Sequence, residues 1–150
     1  MKKVSFLVIT CISILLISNC NKTDYAEIDE EIIQQYIRDN NLSAQSTGSG
    51  LHYVIENSGT GDTPNLNSTV TVAYTGRLID GTIFDESDPN GISFPLSGVI
   101  HGWQQGIPLF KEGGSGILLI PSALGYGSQA VGSIPSNSVL IFDIHLLDVD

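Results

Sequence analysis

The chain has 150 residues, of which 41% are hydrophobic and only 15% are charged, and its formal net charge is −10. This length suits one modest domain with its own core, and so few charges together with short apolar runs exclude a disordered chain. A nucleic-acid surface requires clustered lysine and arginine. Only six basic residues are present, so we expect no nucleic-acid partner.

The first twenty residues have the pattern of an export signal. Two lysines precede an apolar run over residues 6–17, which is shorter than the roughly 20 residues of a membrane-spanning helix. This pattern predicts a signal peptide over residues 1–19. The segment Ile17-Ser18-Asn19-Cys20 resembles a bacterial lipobox, which implies lipid attachment at Cys20 and anchoring in the cell envelope, facing the periplasm or the cell surface. A plain signal peptide and an uncleaved anchor are the alternatives.

Residues 25–40 are predicted to form an amphipathic helix. Ile28, Ile32 and Tyr36 recur every four residues and give one apolar stripe. This stripe fits either a partner helix, such as one that forms a homodimer, or a helix packed on its own domain. Residues 43–50 have the composition of a flexible linker. We therefore expect residues 20–47 to hold the lipidated cysteine, a spacer, the helix and the linker, and residues 48–150 to form the folded domain.

Beyond the linker, the patterns are those of short β-strands and one brief helix. Residues 70–75 alternate between apolar and polar, which predicts that Tyr74 faces inwards. Asp80-Gly81 indicates a hairpin, and Pro108 ends any helix that contains Trp103. The loop 121–136 is long enough to be functional. Further strands are predicted at 51–55, 92–96 and 117–120 and in a last strand where Leu140, Phe142, Ile144 and Leu146 share one face.

Several kinds of catalytic chemistry are not supported by the sequence. The three histidines have no metal-ligand spacing, and both cysteines lie in the export signal. Gly113-Gly114-Ser115-Gly116 lacks the lysine of a phosphate-binding loop. No serine or cysteine lies in a nucleophile motif. We therefore expect no metal and no cofactor, and no hydrolytic, redox or phosphoryl-transfer reaction.

Aromatic residues instead recur within glycine-punctuated fragments. Any one of them alone is best explained as a core residue, because each buries a large area. Their combination, order and spacing are specific, and they resemble the FKBP-type peptidyl-prolyl cis-trans isomerases over residues 48–150. The fragments are Tyr74-Thr75-Gly76, Asp80-Gly81, Phe84-Asp85, Val99-Ile100-His101-Gly102-Trp103, Tyr126-Gly127 and Phe142-Asp143.

This resemblance implies an α+β fold, in which a curved antiparallel sheet of about five strands wraps around one short helix. It also implies a cavity between sheet and helix that binds proline-containing polypeptides, and macrolide inhibitors as further ligands. The backbone N–H of Ile100 would bind a substrate carbonyl group. The implied catalytic residues are Tyr74, Phe84, Asp85, Trp103, Tyr126 and Phe142, and the implied substrate-binding residues are Ile92, Phe94, Val99, Ile100 and Ile134.

Three positions differ from the family pattern. The segment 86–91 lacks the arginine that pairs, in better-known members, with the positions of Tyr74 and Asp85. Ile92 replaces a common phenylalanine, and Gly98 replaces an acidic or polar residue. We favour a structural role for Asp85, as a buried or half-buried acceptor that holds neighbouring groups, over electrostatic steering of the substrate amide.

Two functions follow from this resemblance. The first is an isomerase that assists the folding of exported proteins by binding X-Pro segments and stabilising the twisted amide. The second is a chaperone module that binds proline peptides or a partner with little or no turnover, and the missing arginine motivates it.

Overall fold

The computed structural model describes residues 25–150, so the predicted signal peptide and Cys20 lie outside the described residues. Within this range no helix has the length and apolar character needed to cross a membrane. The elements in chain order are α1 (Tyr25–Asp39), β1 (Gln45–Ser46), β2 (His52–Asn57), β3 (Thr69–Leu78), β4 (Ile83–Glu86), β5 (Ile92–Pro95), α2 (His101–Gly106), β6 (Ser115–Ile120) and β7 (Leu140–Val149).

The strands form a seven-stranded antiparallel sheet in the order β1-β2-β6-β7-β3-β4, with β5 also paired to β3. The long strands β3 and β7 pair from Val70 opposite Val149 to Leu78 opposite Leu140. A register shift interrupts this pairing opposite Thr71 and Val72, where Leu147 is the extra residue on β7, and such bulges increase the twist of a sheet. The predicted α+β fold, an antiparallel sheet with one short helix and a preceding helix, is confirmed. The sheet exceeds the expected five strands because β1 adds an edge and β4 and β5 both pair with β3.

The short helix α2 lies directly on β6. A Cβ atom on Gly102 would lie 2.5 Å from the side chain of Ile120, and one on Gly106 would lie 2.6 Å from that of Leu118. Neither distance is sterically allowed, so these two glycines permit the close approach of helix and strand. The main core fills this face of the sheet, and it includes Trp103 and Phe142.

The N-terminal helix α1 packs on the opposite face of the same sheet. Ile33 is fully buried in a second cluster with Leu119, Val139 and Ile141. Leu119 and Ile141 alternate along their strands with residues of the main core, so they point to the other face. Of the two alternatives for this helix, packing on its own domain is therefore the one observed.

The segment 43–50, expected to be a flexible linker, is instead part of the sheet. Gln45 pairs with Tyr53 and Ser46 pairs with His52, and the Thr47 N–H donates to the carbonyl oxygen of Leu51 at 3.0 Å. The small polar residues that suggested a linker form a hairpin turn here, with positive φ angles at Gly48 and Gly50. Composition alone did not predict this, because the same residues favour tight turns and flexible linkers.

Candidate active site

A cavity of about 530 Å³ opens between α2 and the concave face of the sheet. Every substrate-binding and catalytic residue predicted from the sequence lines this cavity. They are Tyr74, Phe84, Asp85, Ile92, Phe94, Val99, Ile100, Trp103, Tyr126, Ile134 and Phe142.

Trp103, in the first turn of α2, is only 5% exposed and forms the floor of the cavity. Its ring centroid lies 5.0 Å from that of Tyr74, at an interplanar angle of 86°. The ring of Phe142 lies 5.1 Å away, also edge-on, and that of Phe94 lies 5.4 Å away. Edge-to-face packing of this kind is favourable beyond the area it buries, so the floor and two walls hold each other in place.

Gly76 allows the rings of Phe84 and Phe142 to pack against each other and form the far wall of the cavity. It lies opposite Phe142 in the pairing of β3 with β7, and a Cβ atom here would lie 2.7 Å from the rings of both Phe142 and Phe84. Because Gly76 has no side chain, these two rings pack edge-on with centroids 5.5 Å apart. The glycine of the Tyr74-Thr75-Gly76 fragment is therefore part of the cavity's construction.

The Tyr74 hydroxyl donates a hydrogen bond of 2.6 Å to the Asp85 carboxylate. Burial of the ring raises the pKa of Tyr74, and the bond to Asp85 raises it further, so the hydroxyl keeps its proton to a higher pH than that of an exposed tyrosine. Asp85 accepts this hydrogen bond, as expected of an acceptor that holds a neighbouring group. The expectation that it is buried or half-buried is wrong, because its side chain is exposed. The bond forms without the arginine that is absent from segment 86–91. Asp143, on the opposite strand face, instead pairs with Arg77.

Val99 and Ile100 line one side of the cavity immediately before α2. The carbonyl oxygen of Ile100 accepts the N–H groups of Trp103 and Gln104 at 2.9 and 3.1 Å. Among the described residues, no acceptor receives the N–H of Ile100 itself. The wall therefore offers one unpaired backbone donor beside an apolar surface, at the residue where the resemblance implies contact with a substrate carbonyl.

The rim comes mainly from the loop 121–136. Tyr126 is 36% exposed, whereas Ile134 is buried, and Val131 and Ile134 form an isolated β-bridge. The sequence indicated that this loop is functional but did not identify three of its lining residues, since none of them is aromatic or lies in a recognised motif. These are Val131, Gly132 and Ser133, whereas Gly98, which also lines the cavity, is one of the positions where the sequence differs from the family pattern.

The site contains few charged residues. Asp85 is the one ionisable carboxylate among the lining residues, and none of these is lysine, arginine or histidine. Over residues 25–150, no three His, Cys, Asp or Glu side chains are grouped to hold a metal ion. The arrangement can bind a compact apolar ring, exclude water around it and donate a hydrogen bond to a nearby carbonyl oxygen.

Comparison with known proteins gives the same family. A model of the FKBP-type peptidyl-prolyl cis-trans isomerases matches residues 61–147. The FKBP-type peptidyl-prolyl cis-trans isomerase FkpA of Escherichia coli K12 is 43% identical over 122 residues, which are 80% of this chain and 44% of that protein. A probable FkpA of Neisseria meningitidis is 43% identical over 129 residues, covering 83% of this chain and 47% of the relative.

Solved structures agree with these matches. The crystal structure of Escherichia coli FkpA superposes with a TM-score of 0.75 at 38% identity, covering 85% of this chain and 61% of that one. A peptidyl-prolyl cis-trans isomerase from Pseudomonas syringae superposes with a TM-score of 0.71 at 30% identity, covering 83% of this chain and 96% of that one. The chain thus spans under half the length of the two FkpA relatives but nearly all of the shorter enzyme. It belongs to the family of FKBP-type peptidyl-prolyl cis-trans isomerases.

Proposed function

We propose that this protein is a peptidyl-prolyl cis-trans isomerase that binds X-Pro segments of partly folded exported polypeptides. The observation that carries the proposal is the aromatic cavity floored by Trp103, with the unpaired N–H of Ile100 on its wall. A proline ring has the size and apolar character to pack on an indole. The peptide carbonyl oxygen next to it requires a hydrogen-bond donor once it leaves water.

The reaction needs no bond cleavage. Resonance across the peptide bond gives a rotation barrier of about 18–20 kcal/mol, and an X-Pro bond exchanges isomers over tens to hundreds of seconds. At the twisted midpoint the amide loses resonance and becomes less polar. An apolar cavity therefore binds the twisted form better than the planar one, and stronger binding of the transition state is what accelerates a reaction. A thousandfold acceleration requires only about 4 kcal/mol of such preference.

Each part of the cavity has a role in this mechanism. Trp103 packs against the proline ring, and the Ile100 N–H binds a carbonyl group of the substrate. One side of the X-Pro bond is therefore held in place while the other side rotates. Tyr126 approaches from the rim, where its hydroxyl can donate to a second carbonyl oxygen. Asp85 accepts the Tyr74 hydroxyl and thereby fixes that ring in the wall, so we assign it a positioning role.

Exchange NMR on a Leu-Pro peptide tests this function, because it reports binding and turnover together. We expect the described domain to accelerate isomer exchange, and Trp103→Leu to reduce kcat/KM about tenfold or more through loss of aromatic contact while the fold is retained. A matched control is Ile79→Leu, on the exposed hairpin away from the cavity. Peptide binding without faster exchange would instead establish the alternative of a binding module.

We also propose that Cys20 carries a lipid that holds the domain at the envelope surface. Support comes from the sequence Ile17-Ser18-Asn19-Cys20 after an apolar run. Cys20→Ser should shift the protein from the membrane to the soluble fraction of bacteria that express the full chain, and labelling with radioactive palmitate should disappear. Membrane association that persists in this variant would contradict the proposal.

A second kind of ligand and a homodimer are further predictions from the sequence. Macrolide inhibitors should compete with proline peptides for the same cavity, with Ile92 and Gly98 altering the contacts at its rim. A homodimer through helix 25–40 remains a prediction, and it would have to use the face of α1 that Ile33 does not occupy.

A further inference from the structure

Asp29 is a buried carboxylate on α1, a helix that contributes no residue to the cavity. It is only 1% exposed. Its Oδ2 atom accepts the backbone N–H of Ser122 at 2.8 Å and the Ser122 hydroxyl at 2.6 Å. Ser122 is also buried, and it lies at the start of the loop 121–136 that forms the rim of the cavity.

Ser122 in turn holds the backbone on both sides of Tyr126. Its carbonyl oxygen accepts the N–H of Gly125 at 3.0 Å and that of Gly127 at 2.8 Å. Gly127 has a positive φ of 58°, which sets the direction in which the chain leaves Tyr126. One serine therefore receives its position from Asp29 and fixes the turn that carries a cavity-lining tyrosine.

Anchoring of α1 is a weak explanation for this carboxylate. The helix is already held by Ile33 in the second cluster and by Glu30, which lies 3.0 Å from His52 on β2. Burial of a carboxylate is costly, and within the described part of the chain Oδ1 of Asp29 has no hydrogen-bond partner. An apolar residue would contribute more to helix packing but could not accept two donors from Ser122.

We infer that Asp29 is a positioning residue for Tyr126, acting through Ser122, and that α1 thereby helps to set the rim of the cavity. This inference rests on the proposed isomerase function for its effect on activity. It assigns the N-terminal helix a role in the site, although no side chain of this helix lines the cavity.

A double-mutant cycle in kcat/KM tests the inference. We expect Asp29→Ala, which removes both hydrogen bonds to Ser122, to lower kcat/KM about fivefold or more, since the loss of one hydrogen bond alone corresponds to about this factor. In a Tyr126→Ala background the same change should cost less than about twofold, since the group that Asp29 positions is gone. Asp29→Asn should restore most of the activity, because its amide oxygen can accept both donors. Glu30→Ala, the neighbouring helix residue that binds β2 instead of the loop, is the control and should cost less than about twofold.

A second readout separates this inference from the proposed function. Amide hydrogen exchange at Gly125 and Gly127 should accelerate in Asp29→Ala but not in Glu30→Ala. Equal losses of kcat/KM in both Tyr126 backgrounds, or unchanged exchange at the two amides, would overturn the inference. If the wild type has no turnover, the proposed function fails, and the same cycle measured as Kd for the Leu-Pro peptide tests the positioning. If Asp29→Ala does not fold, Ser122→Ala replaces it in the cycle.

Discussion

Tyr74 joins the aromatic wall of the cavity to a carboxylate at its edge. The ring packs against Trp103, and the hydroxyl reaches outwards to Asp85 at 2.6 Å. An ionised Tyr74 would place a second negative charge beside Asp85 and would carry that charge on a partly buried ring. Both effects favour the protonated hydroxyl and raise the pKa of Tyr74, and burial is the larger.

This pKa shift predicts how the stability depends on pH. Because the folded state retains the Tyr74 proton above the unfolded pKa of about 10, unfolding at higher pH releases that proton and becomes more favourable. We expect the free energy of unfolding to decrease as the pH rises above about 10, and the decrease to be shallower in Tyr74→Phe. Urea unfolding between pH 8 and pH 11 measures both, and equal slopes for the two proteins would refute the prediction.

Contact between α2 and β6 depends on Gly102 and Gly106, although alanine would favour the helix more than glycine does. Gly102→Ala favours the helix by about 1 kcal/mol, but the new methyl group would overlap Ile120, and overpacking costs about 1–3 kcal/mol. We expect a net loss of about 1 kcal/mol in the free energy of unfolding, together with weaker peptide binding as Trp103 is displaced. Thermal unfolding monitored by circular dichroism checks the stability.

Gly98→Ala is the control for this substitution. An ideal Cβ atom at Gly98 has nothing within 4 Å, so its effect on stability should be within about 0.5 kcal/mol. An equal loss of stability in both variants would contradict the prediction, because helix propensity and the unfolded state both favour alanine over glycine and the close approach of α2 to β6 is absent at Gly98.

The strands were predicted from alternation that is local in the chain, whereas the cavity, which joins segments from Tyr74 to Phe142, was predicted only from the family resemblance. Alternation along residues 70–75 placed Tyr74 inwards, and the order of the aromatic fragments identified the family. The contacts that join distant segments were not predictable in this way. The bond between Asp29 and Ser122 joins residues 93 positions apart and forms only because α1 packs on the sheet. The hairpin that pairs Gln45–Ser46 with β2 is local, but its composition fits a linker equally well. Asp29 in particular is one of several acidic residues in a helix pattern, and no local feature marks it as buried.

Packing of α1 on the sheet predicts that helix and domain unfold together as one unit. Ile33→Ala removes a fully buried side chain and should lower the free energy of unfolding by about 2–5 kcal/mol, whereas Ile28→Ala, at a position 40% exposed, should change it by less than about 0.5 kcal/mol. Fluorescence of Trp103, the single tryptophan, reports the cavity, and far-ultraviolet circular dichroism reports the helix. Both signals should shift to the same lower urea midpoint in Ile33→Ala. Helix loss at a urea concentration that leaves the fluorescence unchanged would mean that α1 folds on the sheet without contributing to its stability.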